Sequence, residues 1–301
     1  MIALKILGID YEKCIDCFKC IKVCPSILYK KSEVNGKNAK ASFEDSYSLC
    51  VRCGHCIAVC PTEAIVYEDA DAFFDIGKEK DLEKIVSYEN LLKVLRMRRS
   101  YRVFKQEKVS KEKIEAILEA MRYAPSASNL QGWRYIVLTD KNEINYLSKE
   151  TSSFFKLARK LLPLKYLIAP FLTGRTKKRV LSPKTKIQLD NGLERLANGE
   201  DIVFFNAPCV VILYSRKYAN AMAANDAGIA FTHGMLAAQS LGLGTCWIGF
   251  AQRRLQNIRR IRKHFQIPKG YNVWGVLAIG APAIKYQRAP PRRPLKIRWV
   301  E

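Results

Sequence analysis

The chain has 301 residues, 49% hydrophobic and 26% charged, which is enough apolar side chain for a buried core, too much for a disordered chain, and a length that predicts two domains. No run reaches the roughly 18 to 20 uninterrupted apolar residues of a membrane-spanning helix, so a soluble protein is expected; the nearest approach, LLPLKYLIAPFL from Leu161 to Leu172, is broken by Pro163, Lys165 and Pro170. The formal net charge of +23 is unevenly placed, with 11 Lys+Arg against 12 Asp+Glu in residues 1–80 and 40 against 16 in the remainder.

The amino-terminal stretch MIALKILGIDYEKC carries a short apolar patch that runs into cysteines without a cleavage-site pattern, and is not read as a signal peptide. Ten cysteines, most of them crowded before residue 61, point to metal ligation in a reducing compartment, the cytoplasm, rather than to disulfides.

Those cysteines form an internal repeat. Cys14, Cys17, Cys20 and Cys24 recur 36 residues later as Cys50, Cys53, Cys56 and Cys60, and both runs read C-x2-C-x2-C-x3-C-P, closing on Pro25 and Pro61. This is the bacterial iron-sulfur spacing, in which three cysteines bind one 4Fe-4S cluster and the fourth ligates the other. Cys14, Cys17, Cys20 and Cys60 are therefore expected to hold one cluster, and Cys50, Cys53, Cys56 and Cys24 the second. Zinc sites use paired cysteines across a long spacer and rarely need eight thiolates with trailing prolines. His55, inside the second run, is not needed as a ligand. Residues 1–70 form this module, which has little core beyond its clusters and depends on them for its fold.

Residues 71–90 turn acidic and then amphipathic, and are read as a linker. From there Leu91, Leu92, Val94, Leu95 and Met97 make a helix-period face. A second helix, SKEKIEAILEAMRYA, takes Ser110 as N-cap and stops at Pro125; Lys113 stands where an acid or amide would complete a capping box. WRYIVLTD, PCVVILYS and WGVLAIGAP read as buried strands. Between the last two lies NDAGIAFTHGMLAAQSLGLG, a weakly charged Ala/Gly-rich helix, buried either in its own core or against a second subunit, with Gly242 and Gly244 suited to its C-cap. Cys209, Cys246 and His233 read as core residues.

Four segments, in order, carry a resemblance: RRSYRVF (Arg98 to Phe104), APSASNLQGW (Ala124 to Trp133), the Ala/Gly helix ending GLGTCWIG, and GAP followed by KYQRAPPRRP. Residues 91 to about 298 resemble the FMN-dependent nitroreductases, and the whole chain resembles members that carry an amino-terminal two-cluster ferredoxin domain. The resemblance implies an α+β fold, a ferredoxin-like two-cluster iron-sulfur domain (1–70) followed by a nitroreductase-like FMN-binding α+β sandwich (91–301) with a variable insertion at about 150–190.

The motifs also make chemical sense. Alternation of Arg98, Ser100 and Arg102 puts two guanidinium groups and a hydroxyl on one side of an extended segment, suited to phosphate. By resemblance, Pro125, Ser126, Ser128 and Asn129 contact the flavin, and the backbone at Ile248 and Gly249 meets the ring, at a position where several relatives have an acid. Arg288 or Arg292 brings a second cation to the phosphate. No catalytic side chain is singled out.

The expected cofactors are two 4Fe-4S clusters and FMN. The expected protein is a homodimer, with the Ala/Gly helix at its seam, that passes electrons between clusters and FMN. Its acceptor would be an electron-poor small molecule such as a nitro compound, quinone or activated alkene, and its donor NAD(P)H or an external electron carrier. An alternative is an adaptor subunit whose FMN relays electrons to a larger redox complex. Nucleic acid is disfavoured as a partner, since no basic helix or aromatic stacking motif accompanies the charge. The stretch 156–186, with ten Lys+Arg and no acid, leaves three readings open: a substrate-shaping lid, a peripheral membrane contact, or a docking face for an acidic donor.

Overall fold

The repeat in the cysteines is also a repeat of the backbone. In the computed structural model, which describes residues 4–34, 37–71, 77, 81–218 and 220–301, helix α1 (Lys19–Val23) returns 36 residues later as α2 (His55–Val59). The left-handed residues within and just after the cysteine runs recur at the same displacement: Asp16 with Arg52 (φ 51° and 57°), Phe18 with Gly54 (56° and 72°), and Ile27 with Glu63 (both 56°). Such turns aim successive amides into a concavity, as a chain wrapped around an anionic centre requires.

These residues belong to the first of two units, formed by Met1–Ser87 together with Ser126–Gln131. It holds two small antiparallel sheets, β1 (Lys5–Ile9) with β4 (Ile65–Glu68) and β2 (Tyr29–Val34) with β3 (Lys37–Phe43). Its apolar core is small, with Ile6, Tyr29, Cys56 and Ile65 buried. Of the expected linker, 72–76 and 78–80 lie outside the described residues; α3 (Leu82–Ile85) follows them.

The second unit comprises Tyr88–Pro125 and Gly132–Glu301. A four-stranded sheet runs β5 (Arg134–Leu138), β6 (Cys209–Arg216), β8 (Tyr271–Gly280), β7 (Gly244–Trp247), with every neighbouring pair antiparallel. Alternation along β6 sends Val210 and Ile212 into one core and Cys209, Val211 and Leu213 into the other. Burial on both faces explains why the strand reads as a continuous apolar run. Helices α5 (Lys111–Arg122) and α10 (Ala223–Ser240) cover one face, while α6 (Lys141–Leu161), α11 (Gly249–Asn257) and α12 (Arg259–His264) supply the other. The protein is α+β, with the sheet sandwiched between helices.

The helix Tyr88–Met97 (α4) forms, and Ser110 caps α5, its hydroxyl accepting from the Lys113 amide at 3.4 Å. Helix α10 buries Ala227, Ala230, Phe231 and Gly234 within its own unit, leaving Ile229 and Thr232 outward. The C-cap expectation needs correcting at one of its two glycines. Gly242 (φ 76°) is the left-handed residue, and the Leu243 amide donates back to the Ala238 carbonyl at 2.8 Å. Gly244 instead opens β7. The insertion is helical: α6, α7 (Lys165–Ile168), α8 (Gly174–Leu181) and α9 (Pro183–Ala197), with 3-10 turns at Leu162–Leu164 and Ala169–Phe171.

Candidate functional site

Within the first unit, a cavity of about 350 Å³, mouth included, has Cys14, Cys17, Cys20 and Cys60 in its wall. A second, of about 330 Å³, has Cys24, Cys50, Cys53 and Cys56 in its wall, with Tyr29 beside them. The fourth cysteine of each run lies just past a short helix, Cys24 after α1 and Cys60 after α2, and because these helices pack on each other each fourth cysteine reaches the cavity of the other run. Among the described residues, no three His, Cys, Asp or Glu side chains close on a single ion. The thiols surround a volume instead, as a multi-atom cluster requires.

Backbone amides point at the sulfurs in the same repeat. Leu28 donates to Cys24 Sγ at 3.4 Å and Ala64, 36 residues on, to Cys60 Sγ at 3.2 Å; Arg52 donates to Cys50 Sγ at 3.4 Å. Such donors stabilise thiolate charge and raise a cluster's potential. At Cys60, burial opposes the thiolate, but the Ala64, Thr62 and Glu63 amides and the Thr62 hydroxyl outweigh it and bring its pKa down. Burial dominates at Cys14, Cys20, Cys50 and Cys56 and pushes each thiol up, leaving deprotonation to the metal. The buried Tyr29 hydroxyl has no partner at standard hydrogen-bond geometry. Burial, then the neighbouring Cys56, drives its pKa up. It is an orphaned donor beside the second cavity, as a cluster's sulfur would satisfy.

In the second unit, the Arg98–Phe104 segment runs beside β7 and the sheet edge. Ser100 bridges to Thr245, the Tyr101 amide donates to the Thr245 carbonyl at 2.9 Å, and Lys105 to Ala281 at 2.9 Å. Arg102 and Arg98 lie near enough to Cys246 to act on it: burial raises that thiol, and the two arginines pull it partly back. Ile248 is buried where β7 passes into α11, while Gly249 is exposed at the helix start, with open space where a Cβ would be. Arginine side chains and the exposed amide end of a nine-residue helix thus bracket β7, an electropositive setting suited to an anion. Arg288 and Arg292 are exposed in the irregular carboxyl-terminal segment, which passes Tyr101 at Tyr286, ring centroids 5.2 Å apart. Pro125 closes the α5 end of this unit.

Ser126, Ser128 and Asn129 group with the first unit. Their turn places three non-glycine residues in the left-handed region, Ser128, Asn129 and Gln131 at φ 51°, 48° and 44°. It is held by Gln131 N donating to Ser126 Oγ at 3.0 Å and by Asn129 Nδ2 donating to the carbonyl of Arg52, next to Cys53. Strained turns of this kind persist where surrounding contacts over-determine them, and they concentrate at functional sites.

A profile of the Nitroreductase family matches residues 95–281. The chain belongs to the nitroreductase family. A 4Fe-4S dicluster domain profile matches residues 13–64. Among similar proteins, an FMN reductase [NAD(P)H] of Bacillus subtilis is 28% identical over 200 residues, 66% of this chain and 69% of that protein. A nitrobenzene nitroreductase of Ectopseudomonas oleovorans is 29% identical over 165 residues, 51% of this chain and 70% of that protein. The crystal structure of a nitroreductase with bound FMN from Desulfitobacterium hafniense matches with a TM-score of 0.52 and 26% identity, covering 70% of this chain and 97% of that one. This nitroreductase is accordingly an FMN-dependent oxidoreductase with a ferredoxin-type dicluster domain at its amino-terminal end.

Three residues at the two candidate sites, Tyr29 beside the second cysteine cavity and Tyr101 and Arg99 in the arginine segment, were not singled out from sequence. Tyr29 lies four residues inside the 36-residue frame from the Cys24–Pro25 close, but a tyrosine in a strand carries no cofactor signal. Tyr101 hides between the arginines of its own motif. Arg99 has its Nε buried with no partner, and the alternation that singles out Arg98 and Arg102 passes over it.

Proposed function

We propose that this nitroreductase exchanges single electrons between its two 4Fe-4S clusters and FMN, and uses the flavin to reduce an electron-poor organic acceptor such as a nitro compound, a quinone or an activated alkene. The observation that carries the reading is that one chain joins two four-cysteine cavities to a nitroreductase unit with an arginine-flanked β7. Bound FMN supplies the conversion between one-electron and two-electron transfer.

In this reading the eight cysteines hold the clusters in the crossed sets, Cys14, Cys17, Cys20 with Cys60 and Cys50, Cys53, Cys56 with Cys24. Arg98 and Arg102 bind the flavin phosphate, with the Ser100 hydroxyl between them and Arg288 or Arg292 as a further cation. The backbone of Ile248 and Gly249, at the start of α11, orients the ring edge. Pro125, Ser126, Ser128 and Asn129 are assigned to flavin contact on the family resemblance of the APSASN segment. The insertion packs Phe154 and Phe155 on Phe250 of α11, centroids 5.3 and 5.4 Å apart. Its base therefore lies next to Gly249, and we assign it the shaping of the acceptor pocket and the exclusion of water.

The active form is read as a homodimer. Leu91, Val94, Leu95 and Met97 of α4 are exposed, as are Leu295 and Trp299 of the carboxyl-terminal segment, and apolar surface of this extent favours a partner copy. The cytoplasm supplies the reducing conditions that eight unpaired cluster thiols need. NAD(P)H, named for the Bacillus subtilis relative, or a reduced carrier protein serves as donor.

The test is an anaerobic screen of donors and acceptors on cluster-loaded, FMN-loaded protein, following flavin and cluster bleaching separately. Steady turnover of a nitroaromatic or quinone, with both chromophores bleached by one donor, is expected. Bleaching without turnover of any small acceptor would replace this reading by that of an electron-relay subunit, and absence of bound flavin would end it.

A further inference from the structure

The insertion, to which the shaping of the acceptor pocket is assigned above, also carries a strongly basic stretch with an apolar tip. Residues 156–186 contain ten Lys+Arg and no Asp or Glu. Among the described side chains there, one ion pair is made, between Arg159 and Asp190 at 2.5 Å; Lys156, Lys160, Lys165, Lys177, Lys178 and Arg179 have no acidic partner. The same stretch carries bare apolar side chains on short proline-broken turns. Phe171 is 88% exposed, Tyr166 72%, Leu167 71% and Leu164 47%. The base of the insertion is anchored: Phe154 and Phe155 meet Phe250, and Arg254 donates to the Glu150 carbonyl and the Ser153 hydroxyl, both at 3.2 Å. Among the described residues, Tyr166, Leu167 and Phe171 of the apolar tip join no buried hydrophobic cluster.

We infer that this tip is a docking surface for an anionic lipid bilayer, with Tyr166, Leu167 and Phe171 entering the acyl boundary and the surrounding lysines and Arg179 at the headgroups. Three observations select this occupant. Side chains exposed to this degree project singly rather than line a groove, so they suit a fluid that closes around them better than a folded partner of fixed shape. The rim is uniformly basic, which complements anionic headgroups and lets the lysine stems lie along the apolar tip. A second copy of the chain is disfavoured, because a two-fold contact would press one uniformly basic surface against another. No described helix is long and apolar enough to cross a membrane, so the contact is interfacial, made by a basic, apolar-tipped element lying on the surface.

The experiment is co-sedimentation of full-length, cofactor-loaded protein with vesicles of phosphatidylcholine alone or mixed with phosphatidylserine, at physiological salt. At least about tenfold tighter binding to the mixed vesicles is expected. Leu167→Ser/Phe171→Ser should lower it by about tenfold at unchanged net charge, and Lys177→Glu/Lys178→Glu by a comparable factor. Tyr218→Ser, outside the insertion and 84% exposed, should leave it intact. Phe171→Ser alone, at a position without packing, guards against misfolding of the double variant, and flavin absorbance reports on the site in each. The inference is overturned if wild-type protein ignores anionic vesicles. It is equally overturned if the serine variants bind as wild type does, which would leave only the overall charge of +23 acting, or if they abolish a dimer instead. Soluble polyglutamate displacing the protein as efficiently as fresh anionic vesicles would reassign the face to an acidic protein.

Discussion

The ring of Tyr101 lies against the α-carbon of Gly244, so close that a Cβ at position 244 would fall 2.6 Å from two of its ring carbons. Thr245, the next residue, accepts the Tyr101 amide. The glycine therefore lets the Arg98–Arg102 segment lie along β7.

Gly244→Ala should push Tyr101 outward and carry the flanking arginines with it. Overpacking of this kind costs about 1–3 kcal/mol of stability. FMN retention, measured by equilibrium dialysis, should weaken by roughly tenfold or more, about 1.4 kcal/mol. Gly228→Ala, on α10 with open space around its α-carbon, is the matched control and should gain up to about 1 kcal/mol in helix propensity without touching FMN. Equal FMN affinity in the two variants would refute the assignment of the arginine segment.

Tyr29→Phe removes the buried hydroxyl beside the second cavity while keeping the ring, whose contact with Phe43 (centroids 5.0 Å apart) supports the small core. If the hydroxyl donates to the sulfur of a cluster held in that cavity, it favours the reduced, more negative state. The variant should show one cluster with a midpoint potential lower by tens of millivolts, on the scale where 59 mV is a tenfold change for one electron. Redox titration followed by EPR would detect it, and two unchanged potentials would mean that the hydroxyl serves packing alone.

The turn at Ser126–Gln131 separates backbone from side-chain contributions. Asn129→Gly keeps access to the left-handed region but loses the bond to the Arg52 carbonyl; Asn129→Ala loses both. Each loss is worth about 1 kcal/mol, so hydrogen exchange of residues 126–131 should accelerate several-fold in the glycine variant and further in the alanine variant. Identical exchange in the two would show that the backbone preference contributes nothing.

Burial pushes the Cys209 thiol up to about 12, well above the usual range for a free cysteine. Because the folded state holds the proton more tightly, this group does not affect stability below about pH 9, and stability is lost as pH rises from the unfolded toward the folded value. The loss should be about 1.4 kcal/mol per pH unit in that window. Urea midpoints of wild type and Cys209→Ala, compared at a series of pH values above 9, should converge as the alkaline penalty falls on the wild type alone. Parallel curves would contradict it. At neutral pH the folded thiol should also resist iodoacetamide until the chain is unfolded.

The iron-sulfur module was legible in the sequence because its information is local and repeated. Cluster ligation requires cysteine, and a thiolate run closing on proline leaves few other readings. The strands Cys209–Arg216 and Tyr271–Gly280 were legible for a related reason, since a strand buried on both faces must be apolar throughout; Arg134–Leu138, an edge strand with one fully buried residue, was legible from its β-branched and aromatic run, although not as the buried strand expected. The four-residue strand Gly244–Trp247 was not, being too short to show a period; what makes it a strand is its pairing with β8.

What the sequence alone determined is the chemistry available: eight cysteines in two repeated runs, an arginine pair spaced along one segment, and two parts of opposite charge balance. What only the tertiary structure decided is placement. Gly244 reads as a helix cap by composition, yet its lack of a side chain answers a tyrosine more than a hundred residues earlier. Ser126, Ser128 and Asn129 follow a helix of the second unit in the chain but group with the first through a side-chain bond to Arg52. The basic, apolar stretch around Tyr166, Leu167 and Phe171 left three readings open in the sequence, and it is the exposure of those side chains in the folded chain that bears on the choice among them. In each case the deciding contact is with a residue distant in sequence, or with solvent, and no local pattern of side chains encodes it.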